Sequence, residues 1–323
     1  TRLAPAGHQL MKKNVLFLLK LTVSVSLLVY LISIVDFSAT LARLRDIKIG
    51  FAVIAFFISI GMVMLSALKW KIILRADGLD TPYLSLLQSY YIGNFLGLFL
   101  PSAFGGDIYR VYALSSVGKG VGKVTSSVLF DRITGLFALL SISLFGYLVL
   151  PDTRYDLLVV IVYLGGIAAF FLLTSTKAIN RLDLYRHTPV RYLIQMLTSF
   201  RSYRLEPRNL LKILAIAFLF QFLIVINNTL YTHALSIGIP FRELVVIIPL
   251  VFLTEALPIS VNGAGVRDSA FVFFFVMLGH TMEEGLAMGL LVIAMRYIGG
   301  LVGGSVLVAT VLQKHMATRT RER

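Results

Sequence analysis

Residues 95–110 read FLGLFLPSAFGGDIYR, and residues 252–267 read FLTEALPISVNGAGVR. Both fit F-L-x-x-x-L-P-x-x-x-x-G-x-x-x-R, so the chain twice follows an apolar run with a proline, then a glycine and then an arginine. Proline cannot donate an amide hydrogen bond and clashes with the turn before it, so each run is expected to break into two half-helices around Pro101 and Pro258. An arginine set just past such a break needs a partner or a polar cavity, because a charge within a membrane segment costs about 2.5–3.5 kcal/mol on insertion scales.

The setting of these two stretches is strongly apolar. Of 323 residues, 58% are hydrophobic and only 14% charged, with a mean hydropathy of +0.86, well above what a water-soluble domain carries. The fold class expected is an all-α polytopic membrane protein. Windows 15–35, 51–68, 125–150, 157–174, 210–235 and 284–312 are apolar and long enough to cross a bilayer as helices, giving six expected spans. The broken runs, 84–117 and 243–280, are read as two re-entrant hairpins, since each half falls short of the ~20 apolar residues a crossing takes. Complete crossing by helix pairs would leave every loop on the same side, and that reading stays open.

The motif pair extends into a larger repeat. Arg132-Ile-Thr-Gly135 follows the first run and Arg296-Tyr-Ile-Gly299 follows the second. Repeat A covers about 51–150, and repeat B about 209–312. Between them lie a linking span and a basic segment, 157–208. With one span between the units, the second enters from the opposite face, which makes an inverted-topology repeat. Residues 1–10, TRLAPAGHQL, precede Met11 and read as a leader or fusion remnant, leaving 11–323 as a single transmembrane domain.

Charge gives the orientation. The net charge is +14, but the basic residues gather at segment ends, as expected for a face against anionic lipid rather than for nucleic-acid binding. Lys12 and Lys13, then Lys69, Lys71, Arg75, Lys119 and Lys123, and the tail with Arg319 and Arg321, fall on one side. Both termini are therefore expected in the cytoplasm of a cell whose inner membrane holds the protein. The loop with Arg43, Arg45 and Lys48 is discordant and falls outside. Residues 176–208 read as an amphipathic surface helix. The absence of cysteine removes disulfides and thiolate metal sites from consideration.

Four arginines occupy repeat-related positions: Arg110 with Arg267, and Arg132 with Arg296. Guanidinium offers a fixed fork of donors that matches phosphate oxygens and keeps its charge when buried. The second half-helices are expected to start near Ser102 and Ser260, presenting free amides and a positive dipole end to an anion. Gly106 and Gly263 would allow a headgroup close to the backbone. The competing reading is that the arginines pair with Asp107, Asp131, Glu255 and Asp268 and only hold helices together. Glu255 is alternatively a proton carrier.

Other signals are weaker. The stretch 118–123, GKGVGK, resembles a phosphate loop, yet Val124 stands where Ser or Thr would hold magnesium, so it reads as a basic turn. The histidines lack metal-ligand spacing, and neither cofactor nor metal is expected. Tyr90, Tyr91, Tyr109 and Tyr112 read as interfacial anchors or headgroup contacts, and Gln221, Asn227 and Asn228 as interhelical hydrogen-bonding residues.

The stretches GNFLGLFLPSAFGGDIYRVYALSS (93–116), SSVLFDRITGL (126–136) and LPISVNGAGVRDSAFVFF (257–274) resemble the lysylphosphatidylglycerol synthase transmembrane-region family, over roughly residues 12–312. That family includes the flippase half of bacterial multiple peptide resistance factors and stand-alone relatives. The resemblance implies movement of lipid between leaflets, carried onto Pro101, Gly106, Asp107, Arg110, Asp131, Arg132, Glu255, Pro258, Gly263, Arg267 and Arg296. It does not bring the synthase activity of the family name, which belongs to a soluble domain that this chain, ending at Arg323, lacks.

The expected function is therefore a lipid flippase or scramblase without catalytic residues. It would move an anionic, aminoacylated or glycosylated lipid with the headgroup phosphate held by the arginines and half-helix ends. The alternative is a membrane-embedded glycosyltransferase using a polyprenyl-phosphate sugar, with Asp107 or Asp131 as base; a third is a transporter of a soluble anion such as a sugar phosphate. Expected partners are membrane lipids, with a second copy of the chain or a separate lipid-synthesising enzyme as further candidates.

Overall fold

A computed structural model of the chain describes residues 6–100, 105–116, 118, 120–149, 163–166, 168, 207–256 and 260–321. Among these, regular structure is entirely helical. The helices are α1 (Ala6–Ile34), α2 (Phe37–Arg45), α3 (Ile49–Ala76), α4 (Tyr83–Phe99), α5 (Gly105–Ser115), α6 (Val121–Val149), α7 (Pro207–Ala234), α8 (Phe241–Ala256), α9 (Val266–Met277) and α10 (Met282–Arg321).

Among the described residues, five helices are long and apolar enough to cross a membrane: α1 over Phe17–Ile34, then α3, α6 and α7, and α10 over Met282–Gln313. They match five of the six expected windows. The sixth, 157–174, lies almost wholly outside the described residues, as does the basic segment 176–208 apart from its last two positions. The outward faces confirm the solvent these helices are built for. Phe57, Phe145, Leu148, Leu211 and Leu301 are each 65–70% exposed, an arrangement costly in water and natural against acyl chains.

Both breaks fall where the prolines put them. α4 ends at Phe99 and α8 at Ala256, each two residues before its proline, because the residue preceding proline is driven out of the helical region. The chain then doubles back. Residues 90, 93 and 97 of α4 face residues 110, 106 and 105 of α5, so the two helices run antiparallel. The approach is close enough to require glycine on both sides: a Cβ on Gly106 would lie 2.8 Å from the Gly93 carbonyl oxygen, and one on Gly93 would lie 2.9 Å from that of Gly106.

The largest core is built from α7, α8, α9 and α10, where Val225, Ile247, Val251, Phe271, Phe275 and Met288 are buried together. A second joins α3, α4, α5 and α6 around Trp70, Leu74, Leu86, Leu114 and Val124. The two groups interlock through α3 against α7, α4 against α10 and α6 against α8. Polar residues fasten these contacts. Gln221 of α7 donates to the Gly135 carbonyl of α6 at 3.0 Å, and Asn227 donates to Ser59 Oγ of α3 at 2.8 Å, as expected of amides in spanning helices. Asn228 instead donates to Ile224 within its own helix.

Candidate functional site: two arginine–carboxylate arrays

α3 continues two turns past the apolar window that ends at residue 68, and this changes the reading of Lys69. It is not a loop charge on the cytoplasmic side: it lies inside α3, 7% exposed. Its ammonium sits 2.9 Å from Asp131 Oδ1 and donates to the Asp131 carbonyl at 3.0 Å. Asp131, on α6, also accepts from the Tyr90 hydroxyl at 2.7 Å and from Arg110 Nη2 at 3.1 Å. Burying a charge in a low-dielectric interior is tolerable only with such partners, and here one carboxylate serves donors from α3, α4 and α5.

Arg110 is held by two aromatic rings as well as by carboxylates. Its guanidinium carbon lies 4.1 Å from the Trp70 ring centroid and 3.9 Å from that of Tyr90, a cation–π arrangement strengthened by desolvation. Trp70 is itself fixed by donating from Nε1 to Ser127 Oγ at 2.9 Å. Along its edge, Arg110 reaches Asp107 Oδ1 at 3.1 Å. The other oxygen of Asp107 accepts from Arg132 Nε. Asp107 thus bridges a buried arginine and a second one whose side chain is 40% exposed.

The second break carries a matching array. Arg296 of α10 binds Glu255 of α8 through both fork nitrogens, at 2.5 and 2.8 Å, the bidentate geometry that makes Arg–carboxylate pairs strong. Glu255 Oε2 lies 3.7 Å from Arg267 Nη1. Arg267, 1% exposed, also donates to Asp268 Oδ1 at 3.1 Å. Again one carboxylate joins a buried arginine to a partly exposed one, the Arg296 side chain being 34% exposed. Arg110 and Arg267 each keep a buried Nε without an acceptor among the described residues.

Two expectations about the half-helix ends need correction. Ser260 does not start a helix: it sits in a bend, 4% exposed, and α9 begins at Val266. The intervening Asn262, Gly263 and Gly265 take φ of 52°, 79° and 79°, left-handed values that cannot continue a helix. The α9 end is also already used, since the Gly265 amide donates to Asp268 Oδ2 at 3.1 Å. Ser102 lies outside the described residues, as do Pro101 and Pro258, and α5 begins at Gly105. Gly263 packs on Glu255, where a Cβ would come within 2.7 Å of Cγ. It therefore lets the loop close over the carboxylate.

The arrays are neighbours. Asn262, from the second break, donates to the carbonyls of Gly97 and Leu100 at the end of α4, at 3.0 and 3.1 Å. Arg132, of the first array, lies within electrostatic reach of Glu255 in the second. α1 closes the outside of the second break, with Ser24 Oγ accepting from the Val261 amide at 2.9 Å. Sequence reasoning named the four arginines and four acids but missed Lys69 and Trp70. Their signal was faint: a lysine and tryptophan at the end of an apolar window look like ordinary interfacial anchors.

The model of the lysylphosphatidylglycerol synthase TM region matches residues 17–304. The chain belongs to this family. It is also 21% identical, over 189 residues, to a UPF0104 membrane protein of Pyrococcus horikoshii. That alignment covers 58% of this chain and 55% of the relative, so the chain matches about half the length of that protein. No solved structure matches the chain significantly. Family membership and five apolar helices together make it a multi-pass membrane protein of a lipid-related family.

Proposed function

We propose that this protein moves lipids bearing a phosphate headgroup between the leaflets of the inner membrane, as a flippase or scramblase. The observation that carries this reading is the pair of arrays, Arg110–Asp107–Arg132 and Arg267–Glu255–Arg296, set against each other at the breaks of two hairpins. In each array the outer arginine is accessible and its carboxylate is shared. A phosphate can therefore take over donors from Asp107 or Glu255 without stripping Arg110 or Arg267 of every partner. The headgroup would pass between the arrays while the acyl chains stay in the bilayer.

The packing supports an inverted repeat made of α3–α6 and α7–α10. Exchanging the two halves turns the contact of α4 with α10 into that of α8 with α6, and leaves α3 against α7 unchanged; all three contacts occur. Such a relation suits rocking of one half against the other. The hairpins are read as re-entrant because α4 and α8 have 17 and 16 residues, about 25 Å of helix against a hydrocarbon core of about 30 Å. α5 and α9 are shorter still. Glycosyl transfer would ask Asp107 or Asp131 to act as a base. Two cations hold the first, and two cations with a tyrosine hydroxyl hold the second, which favours transport.

The test is reconstitution of the protein into liposomes holding a fluorescent phospholipid, with leaflet exchange followed by quenching from outside. The wild type is expected to accelerate exchange and Arg132→Gln/Arg296→Gln to abolish the acceleration. Undiminished exchange by the variant would assign the arginines to holding helices together.

A further inference from the structure

α4 and α10 come from different halves of the molecule and pack along one seam. Near the start of α4 and the end of α10 this seam opens into a cavity of about 240 Å³, lined on α4 by Leu84, Leu87 and Gln88 and on α10 by Val306, Thr310 and Gln313. The repeat alone does not call for a cavity here. In the motif register Gln88 corresponds to Val245 and Thr310 to Gly146, and in the related seam of α8 with α6 those two residues fill the space. A Cβ on Gly146 would lie 2.8 Å from Val245 Cγ1, and Ser143 donates to the Val246 carbonyl at 2.8 Å.

The cavity lies at the depth of lipid headgroups and on the way to the arrays. Arg296 is near the middle of the apolar stretch Met282–Gln313, and Val306 and Gln313 lie about 15 and 25 Å further along the helix. A hydrocarbon core of about 30 Å gives way to the glycerol and headgroup layer at that level. From the cavity towards Arg296 the seam narrows, as Gly303 and Gly304 pack on the Tyr91 carbonyl and the Phe95 ring. It ends where Asn262 donates to the carbonyls of Gly97 and Leu100.

We infer that this cavity binds the glycerol-ester region and upper acyl chains of a phospholipid, and that the α4–α10 seam is the lateral entrance from that leaflet to the arrays. The inference rests on the transport reading above. Leu84, Leu87 and Val306 suit acyl chains, while the amides of Gln88 and Gln313 can donate to ester carbonyls, which need partners once out of water. Such a mostly apolar hollow with a few placed polar groups is the usual form of a small-molecule site.

The experiment uses phosphatidylglycerol with a photoactivatable diazirine near the ester end of one chain, added at one molecule per protein in detergent, where no bulk bilayer competes. Labelled peptides are mapped by mass spectrometry, and exchange of a fluorescent phosphatidylglycerol is followed in liposomes. Label is expected on 84–91 and 306–313 at least about tenfold above other outward positions such as Leu211, the ratio that a modest site affinity gives. Val306→Phe and Thr310→Leu each fill the cavity, and are expected to disperse the label and slow exchange at least about fivefold. Val308→Phe, which faces outward, is expected to change neither. Label scattered evenly over the wild type overturns the lipid site while leaving the transport reading in place. Concentrated label with undiminished exchange in both filled variants overturns the entrance. Concentrated label without any exchange by the wild type overturns the transport reading, and the entrance with it.

Discussion

Replacing Asp131 by asparagine keeps the size of the side chain and removes the one charge on which α3, α4 and α5 converge. Lys69 and Arg110 are 7% and 4% exposed, so neither can recover its hydration by a small movement. Breaking a buried pair by deleting one partner costs about 3–5 kcal/mol, because the remaining charge stays in a low-dielectric surround. Asparagine still accepts from Tyr90, which moves the expectation to the lower half of that range. A change of 1 kcal/mol shifts Tm by about 2–4 °C in proteins somewhat smaller than this one, so Asp131→Asn is expected to lower Tm by roughly 5–12 °C. Trp70 makes the assay specific to the site. It is the single tryptophan, fully buried and with the Arg110 guanidinium over its ring, so its emission on heating in detergent reports the array directly. Adding Lys69→Met should restore part of the loss by removing a charge left unpaired. A Tm within 1 °C of the wild type for Asp131→Asn would refute the claim that this carboxylate holds the first array together.

Three further outcomes follow from the geometry. Gly106→Ala places a Cβ 2.8 Å from the Gly93 carbonyl oxygen, so α4 and α5 must part, at a cost of about 1–3 kcal/mol in thermal unfolding; Gly61→Ala, which meets nothing within 4 Å, is expected to leave stability equal or slightly higher. Asn262→Ala loses the hydrogen bonds to Gly97 and Leu100 and puts alanine at a φ of 52°. It is therefore expected to cost about 1–2 kcal/mol more than Asn262→Gly, which loses the bonds but tolerates the backbone. Because the chain has no cysteine, Asp80→Cys and Ser116→Cys can be labelled alone in intact cells. Antiparallel α4 and α5 predict modification from the same side of the membrane, and opposite sides would contradict the hairpin.

Much of this was legible in the sequence because the decisive features are local. Pro101 and Pro258 mark the breaks since a missing amide donor acts wherever the residue stands, and the repeated arginines stand out because charge is rare in so apolar a chain. The partners were legible only as a set. That Arg110 takes Asp107 and Asp131, while Arg267 takes Asp268 and Glu255, depends on which helices face one another. Lys69 shows the limit most plainly: hydropathy ends its window at the charge, whereas the helix runs on because Asp131, 62 residues away, neutralises that charge. The start of α9 was misplaced for another reason. Three consecutive or near-consecutive residues at positive φ hold a loop that proline placement alone does not reveal.

A double-mutant cycle on lipid exchange distinguishes arrays that form one phosphate site from arrays that are two separate braces. Rates in liposomes would be measured for Arg132→Gln, Arg296→Gln and the double variant. Two donors to one phosphate act as a unit, so the double variant is expected to lose far less than the product of the single losses, a coupling of about 1 kcal/mol or more. Losses that multiply within a coupling of about 0.3 kcal/mol, the behaviour of independent sites, would contradict a single site.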